Sequence, residues 1–315
     1  MDPEKKLVSV IIPALNEEGN IEELCRQFDE MVQKSSYHFE LVLVDDGSTD
    51  RTLEMIEGAA RKYDFVKYAV HPFNLGLTDA LQTGFAAASG SIYVFYPADL
   101  QYKPEDIPAL VQPIFERGAD VVAGWKQGKY KKRFVSTIYN YLSRKIFGLK
   151  VHDLNSVKAF KASVIKDMFM RRDWHRYLVV MAADQGNKID EVKMPLYERQ
   201  WGKSKFSSIW RIPIGLLDMM AVKAQLSLLK KPLLFFGMLG LGFFGMGVLA
   251  GMIALYFRYF LGEGFRPMLY LVILLIGLGL GFFILGFLGE ALAAVREEIG
   301  SVRKKLDKLS DRSDS

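Results

Sequence analysis

The chain predicts an α/β protein, a doubly wound and mostly parallel sheet, followed by interfacial helices and two transmembrane helices. Three observations carry that expectation. Over about the first two hundred residues, short apolar runs of strand length alternate with charged stretches of helix length. Two of those runs end in acidic turns, Val44-Asp45-Asp46-Gly47-Ser48-Thr49-Asp50 and Tyr96-Pro97-Ala98-Asp99-Leu100-Gln101. Beyond residue 231, two long stretches carry no charge at all.

In chain order, Leu7–Ile12 reads as a buried strand, and Asn16-Glu17-Glu18 opens a helix with acidic residues in its first turn. Phe39–Val44 is the next strand and Arg51–Lys62 the next helix. Phe65–Val70, Ser91–Tyr96 and Asp120–Ala123 are further strands, separated by helices around Asp79–Ala88 and Pro104–Arg117. After Trp125 comes a basic segment with Lys126, Lys129, Lys131, Lys132 and Arg133, leading into a helix over Phe134–Phe147. Val157–Phe160 and Ile189–Leu196 complete the strands, with a helix over Trp174–Ala183 between them.

Phe206–Leu229 is rich in Ile, Leu, Met and Trp, is interrupted by Pro213, and reads as a helix lying in a membrane interface. Leu233–Phe257 has no charged residue and, at about 1.5 Å per residue, reaches about 37 Å, more than the roughly 30 Å hydrocarbon layer. Met268–Gly289 reaches about 33 Å by the same rise. Glycines at 237, 240, 242, 245, 247, 277, 279, 281, 286 and 289 offer small faces for helix contact. Lys230 and Lys231 precede the first span, and Arg296, Arg303, Lys304 and Lys305 follow the second. That bias predicts an integral membrane protein with its catalytic domain and both termini cytoplasmic. The tail repeats Leu292, Val295, Ile299, Val302, Leu306 and Leu309 at steps of three and four, a seam suited to packing, and Ser310–Ser315 reads as disordered. The expected organisation is a cytoplasmic catalytic domain over 1–205, amphipathic interfacial helices over 206–231, a transmembrane hairpin over 232–290, and a cytoplasmic C-terminal helix and disordered tail over 291–315.

The formal charge of +5 is too small to point to a nucleic-acid partner, and none is expected. A single cysteine, Cys25, excludes an internal disulfide and falls on an apolar helix stripe, which makes it a packed thiol. His71, His152 and His175 have no second His or Cys at ligand spacing, so no zinc site is expected.

The chemistry sits at strand ends, where an open α/β sheet receives nucleotides. Pro13, Leu15, Asn16 and Glu17 leave the first strand. Asp45 and Asp46 are acceptors suited to a base N–H and a ribose hydroxyl, although Asp-Gly is also ordinary turn chemistry. Asn74-Leu75-Gly76 opens a helix whose first amides are expected to face a phosphate. Asp99 and Gln101 are oxygen donors at i, i+2, which an extended segment places on one side, and with diphosphate oxygens and water they suit Mg²⁺ or Mn²⁺.

Taken in order, IIPALNEEGNI, VDDGSTDRT, HPFNLGLTDALQTGF, PADLQYKPED, DLNSVKAFKA, WHRY and ERQWGKSKF resemble the family 2 glycosyltransferases. The resemblance is specifically to the dolichol-phosphate-mannose-synthase-like branch, and it covers almost the whole chain. It implies a GT-A-like nucleotide-sugar domain and inverting transfer from a nucleoside diphosphate sugar, UDP- or GDP-linked, to a polyprenyl (undecaprenyl or dolichyl) phosphate. It implies nucleotide contacts at Pro13, Leu15, Asn16, Glu17, Asp45, Asp46, Asn74, Gly76 and Ala98, and a metal at Asp99 and Gln101. Catalytic duty falls to Asp99, Asp153, Arg133 and Arg199. Acceptor phosphate binding falls to Arg133, Arg176, Arg199, Ser204 and Lys205, with the bilayer as a further partner. Two-span members of the branch resemble tetramers, so a homo-oligomer is expected. The chain departs from the branch at Pro97, where the usual Asp-Ala-Asp has its first carboxylate. Two other readings stand beside this one, a processive or hydroxyl-directed membrane glycosyltransferase and a non-catalytic nucleotide-binding scaffold. The first would use a Gln-x-x-Arg-Trp motif, which Arg199-Gln200-Trp201 does not match.

Overall fold

A computed structural model describes residues 7–128, 133–166, 168, 170, 174–199, 201, 211–262, 264 and 266–313. The chain divides after Pro213 into two compact units.

Among the described residues the first unit holds seven strands, β1 (Leu7–Ala14), β2 (His38–Asp45), β3 (Val66–Val70), β4 (Ile92–Phe95), β5 (Val121–Gln127), β6 (Lys158–Lys161) and β7 (Ile189–Pro195). Its helices are α1 (Glu18–Lys34), α2 (Thr52–Lys62), α3 (Leu77–Ala87), α4 (Ile107–Glu116), α5 (Arg133–Phe147), α6 (Ala162–Lys166) and α7 (Leu178–Asp184). The sheet order is β3-β2-β1-β4-β6-β5-β7, and β6 alone in it runs antiparallel to both neighbours. Chain order reverses between β1 and β4, so the crevice outside the carboxyl ends of those two strands is the topological switch point. Register brings Ala14 beside Asp45 and Asp45 beside Val70, so the acidic end of β2 opens onto the same rim.

One face of the sheet buries Val8, Val10, Ile12, Leu41, Leu43, Val94 and Ala159 against Ile21, Leu24, Cys25 and Phe28 of α1 and Leu110 and Val111 of α4. Each fully buried aliphatic side chain contributes about 1.5–3 kcal/mol, which is what fixes the rim in place. Cys25 is a buried free thiol, and burial pushes it up to about 12.

Several boundaries differ from the expectation. Strand β5 runs on through the polar Trp125-Lys126-Gln127 because β7 pairs with it to Gln127↔Pro195. The expected helix over Trp174–Ala183 is a 3-10 turn at Trp174–Tyr177 followed by α7.

The second unit contains most of α8 (Arg211–Lys230), then α9 (Pro232–Phe260) and α10 (Arg266–Ser313). Pro213 sits in the first turn of α8, where a missing N–H costs nothing. Residues 206–210 lie outside the described residues. Both α9 and the first thirty residues of α10 are long and apolar enough to cross a membrane, with only 17% and 11% of their apolar windows buried. So little burial separates them from core helices, and Leu234, Met238, Leu241, Ile273 and Leu285 face outward. They pack most closely at Gly240 and Gly279, where a Cβ on either would lie 2.7 or 2.8 Å from the other's carbonyl oxygen. Gly242, Gly245, Gly277 and Gly281, expected at such contacts, have nothing within 4 Å. Helix α10 runs without a break from the apolar span to Ser313.

Candidate active site

At the exit of β1, Asn16 adopts a left-handed backbone (φ 52°). Its N–H donates to Ser48 Oγ (3.0 Å), while Thr49 N–H donates to Asn16 Oδ1 (2.8 Å). The next N–H, of Glu17, donates to Thr52 Oγ1 at 2.8 Å. These bonds zip the β1 and β2 exit loops together, so Pro13, Leu15, Asn16 and Glu17 share one rim with Asp45.

The two carboxylates of the β2 turn have different occupations. Asp45 Oδ2 accepts the Ser48 N–H at 3.2 Å, whereas its Oδ1 is buried with no hydrogen-bond partner among the described residues. An orphaned buried carboxylate oxygen is costly unless a ligand donates to it. Asp46 is fully engaged: Oδ1 accepts from Leu75 N–H (3.0 Å) and faces His71 Nδ1 (2.8 Å), and Oδ2 accepts from Gly76 N–H (2.9 Å). His71 Nε2 in turn meets Thr83 Oγ1 at 2.9 Å. Gly47 completes the clamp. Its φ is +70°, and a Cβ there would lie 2.4 Å from the Phe73 carbonyl carbon and 2.6 Å from the Asn74 nitrogen. The amides of Leu75 and Gly76, expected to face a phosphate, are therefore given to Asp46. Asn74 and Gly76 remain at the rim, with Gly76 capping α3.

The β4 exit is a turn, which corrects the extended segment expected for Asp99 and Gln101. Leu100 is buried in a left-handed conformation (φ 54°), uncommon for a bulky residue and a mark of over-determined backbone. Asp99 Oδ1 accepts the Gln101 N–H at 3.2 Å, and Asp99 Oδ2 lies 2.6 Å from Arg199 Nη2. Burial raises the Asp99 carboxyl above the usual carboxylate range, and Arg199 opposes that rise. The neighbouring Ala98 is buried. Behind the turn, Tyr96 O–H donates to the Tyr102 carbonyl, and the Tyr102 hydroxyl meets Ser156 Oγ at 2.8 Å.

Asp153 is buried at the head of β6. Its Oδ1 accepts the Asn155 N–H (2.8 Å), and Lys126 Nζ stands 3.6 Å from Oδ2 while donating to Asn155 O at 2.9 Å. A second ammonium, overlooked in the sequence, is Lys158. It is wholly buried, donates to Ser156 O (2.9 Å) and lies 5.3 Å from the Phe95 ring centre. Desolvation lowers it to about 7, with Asp153 opposing the fall and Lys126 adding to it. His175 contacts Thr78 Oγ1 at 3.1 Å and is lowered to about 3, by burial first and then by Arg176 and Lys158. Trp125 stacks on His152 with centroids 4.0 Å apart. The structure thus brings Asp99 to Arg199, and Asp153 to Lys126. Of Arg133 only the backbone, at the start of α5, is described, and Ser204 and Lys205 lie outside the described residues. Lys158 had a faint signal, a lysine alternating with apolar residues in Val157-Lys158-Ala159-Phe160.

Among the described residues no group of three His, Cys, Asp or Glu gathers to hold a metal. Asp99 and Gln101 are oxygen donors of the kind a hard cation takes alongside diphosphate and water.

The family 2 glycosyl transferase model matches residues 9–176, from β1 to Arg176. The chain belongs to glycosyltransferase family 2. Within the family it is similar to the dodecaprenyl-phosphate galacturonate synthase of Rhizobium johnstonii, at 33% identity covering 93% of this chain and 89% of the relative. It is also similar to the undecaprenyl-phosphate 4-deoxy-4-formamido-L-arabinose transferase of Pseudomonas fluorescens, at 29% identity covering 93% and 86%. Among solved structures, glucosyl-3-phosphoglycerate synthase from Mycobacterium tuberculosis with Mn²⁺ and UDP-glucose superposes with a TM-score of 0.56. That match has 21% identity and covers 69% of this chain and 79% of that one, which establishes the shared GT-A-like fold. The family 2 assignment makes the chain a glycosyltransferase, and the switch-point crevice is its candidate active site.

Proposed function

We propose that this glycosyltransferase moves a sugar, with inversion, from a UDP- or GDP-linked donor to a polyprenyl monophosphate at the cytoplasmic membrane face. The observation that carries the reading is the Asp99–Arg199 pair at the switch point. It belongs to a chain aligned over 93% of its length, apolar helices included, with transferases named for polyprenyl phosphates.

In this reading Asp45 Oδ1 receives a donor from the base or ribose, and Pro13, Leu15, Asn16, Glu17, Asn74, Gly76 and Ala98 line the nucleotide's path. Asp46 contributes by holding the Phe73–Gly76 loop. Asp99 and Gln101 hold Mg²⁺ or Mn²⁺, which supplies neutralisation of the departing diphosphate's charge. The acceptor phosphate is anionic near neutral pH because its second pKa is about 6, so no strong general base is required. Cations must bring two anions together, and Arg133, Arg176, Arg199, Ser204 and Lys205 take that role. Asp153, held by Lys126, orients the sugar or acceptor. The apolar helices keep the enzyme in the bilayer that houses its lipid acceptor, with both termini cytoplasmic, and the outward faces of α9 and α10 suit a homo-oligomer.

The test is sugar transfer by the detergent-purified chain from a panel of UDP- and GDP-sugars to undecaprenyl phosphate. A butanol-extractable, mild-acid-labile product supports the reading. A long polymer, or turnover only with hydroxyl acceptors, overturns it.

A further inference from the structure

We infer that Trp201, seated in a socket at Gly19, is a positioning residue that aims Arg199 at Asp99. The inference rests on the proposed transfer reaction for its kinetic consequence, but not for its geometry. After β7, the chain crosses the mouth of the crevice. Leu196 N–H donates to Gln127 O at 3.0 Å and Tyr197 N–H donates to Gln101 O at 2.8 Å, while Lys103 Nζ lies 4.7 Å from the Tyr197 ring centre. Arg199 follows, 2.6 Å from Asp99. Two residues on, the Trp201 indole lies flat on the first turn of α1. A Cβ placed on Gly19 would stand 2.5, 2.6 and 2.7 Å from Trp201 Cδ2, Cε2 and Cγ. Three ring atoms so close leave no room for any side chain but hydrogen. Arg199 is therefore pinned on both sides, by the Tyr197 amide before it and the Trp201 ring after it.

A long guanidinium side chain on an unanchored strap samples many rotamers, and aiming it removes that freedom before the reaction begins. Trp201 is otherwise hard to explain, since an indole 43% exposed gains little as core packing. Gly19, in the first turn of α1, is a position there that a side chain larger than hydrogen could not occupy beside the ring.

The test is a double-mutant cycle on the full-length enzyme. Gly19→Ala alone and Trp201→Ala alone each lower kcat by about tenfold or more. In the Trp201→Ala background, adding Gly19→Ala costs nothing further, because the clash is with the ring. Trp201→Phe recovers most of the rate. Hydrogen exchange of the peptide containing Tyr197 rises in both single variants, and this arm needs no substrate, so it reads the socket even where the transfer reading fails. Additive losses in the double variant overturn the inference, because Gly19 would then matter for α1 alone. Unchanged exchange removes the socket, and faster exchange with wild-type kcat removes the positioning role.

Discussion

The ends of β2 and β4 look alike in sequence, each an apolar strand breaking into an acidic turn, yet their carboxylates are held in different ways. At β2, Asp46 gives both carboxylate oxygens to the protein's own donors, drawn from His71, Leu75 and Gly76. At β4, Asp99 faces one local amide and a single arginine a hundred residues later in the chain, and its burial keeps the charged form costly. A carboxylate held by two backbone amides and a buried histidine is scaffold. One balanced between desolvation and a side-chain cation is ready to exchange partners with a ligand. Asp45 lies between the two, with one oxygen tied and one orphaned.

That contrast breaks down if the two aspartates fail in the same way. Asp99→Ala is expected to lower transfer by at least about a hundredfold, through loss of charge stabilisation at the leaving diphosphate, with a melting temperature near wild type. Steady-state turnover and calorimetry on one preparation check both halves. Asp46→Ala strands the Leu75 and Gly76 amides. It should cost about 3 kcal/mol of stability, or roughly 6–10 °C in Tm, measured by thermal unfolding. His71→Ala should move in the same direction by less.

Lys158 sharpens the contrast through pH. Its folded value, about 7, lies below the 10.5 of the free group, so between those values the unfolded chain holds a proton that the folded chain lacks. Stability therefore rises with pH across that window, and below about pH 7 the buried ammonium bears its full desolvation cost. Lys158→Met should raise Tm by roughly 5 °C at pH 6, with the gain shrinking towards pH 10, as melting curves across that range would record. The smallest effect belongs to Pro97→Asp. Adding the branch's usual carboxylate should leave turnover within about threefold and lower the Mn²⁺ concentration needed for half-maximal rate.

How much of this was legible depends on which interactions are local. Strands β1, β2 and β4 and their acidic turns could be read directly, because apolar runs and Asp-Gly chemistry are properties of neighbouring residues. The polar end of β5 could not, since only pairing with β7 extends it. The continuity of α10 was hidden for a related reason: charges at Glu290 and Arg296 mark where an apolar span stops, and they say nothing against the helix continuing. Site residues divide in the same way. Asp99 and Arg199 were both identifiable, yet no spacing rule shows that they meet. The partners of Asp46 lie 25 to 30 residues away, in a loop whose own amides look free in the sequence. Lys158 and Trp201 carried almost no signal, since burial of an ammonium and the fit of an indole on Gly19 arise only in three dimensions.

The division of labour between the two turns is tested most directly by calorimetric titration of nucleoside diphosphate into wild type, Asp99→Asn and Asp46→Asn, with and without Mn²⁺. The account predicts that Mn²⁺ tightens binding to wild type and to folded Asp46→Asn, and that Asp99→Asn abolishes the tightening. Mn²⁺-enhanced binding that survives in Asp99→Asn and disappears in Asp46→Asn would contradict it.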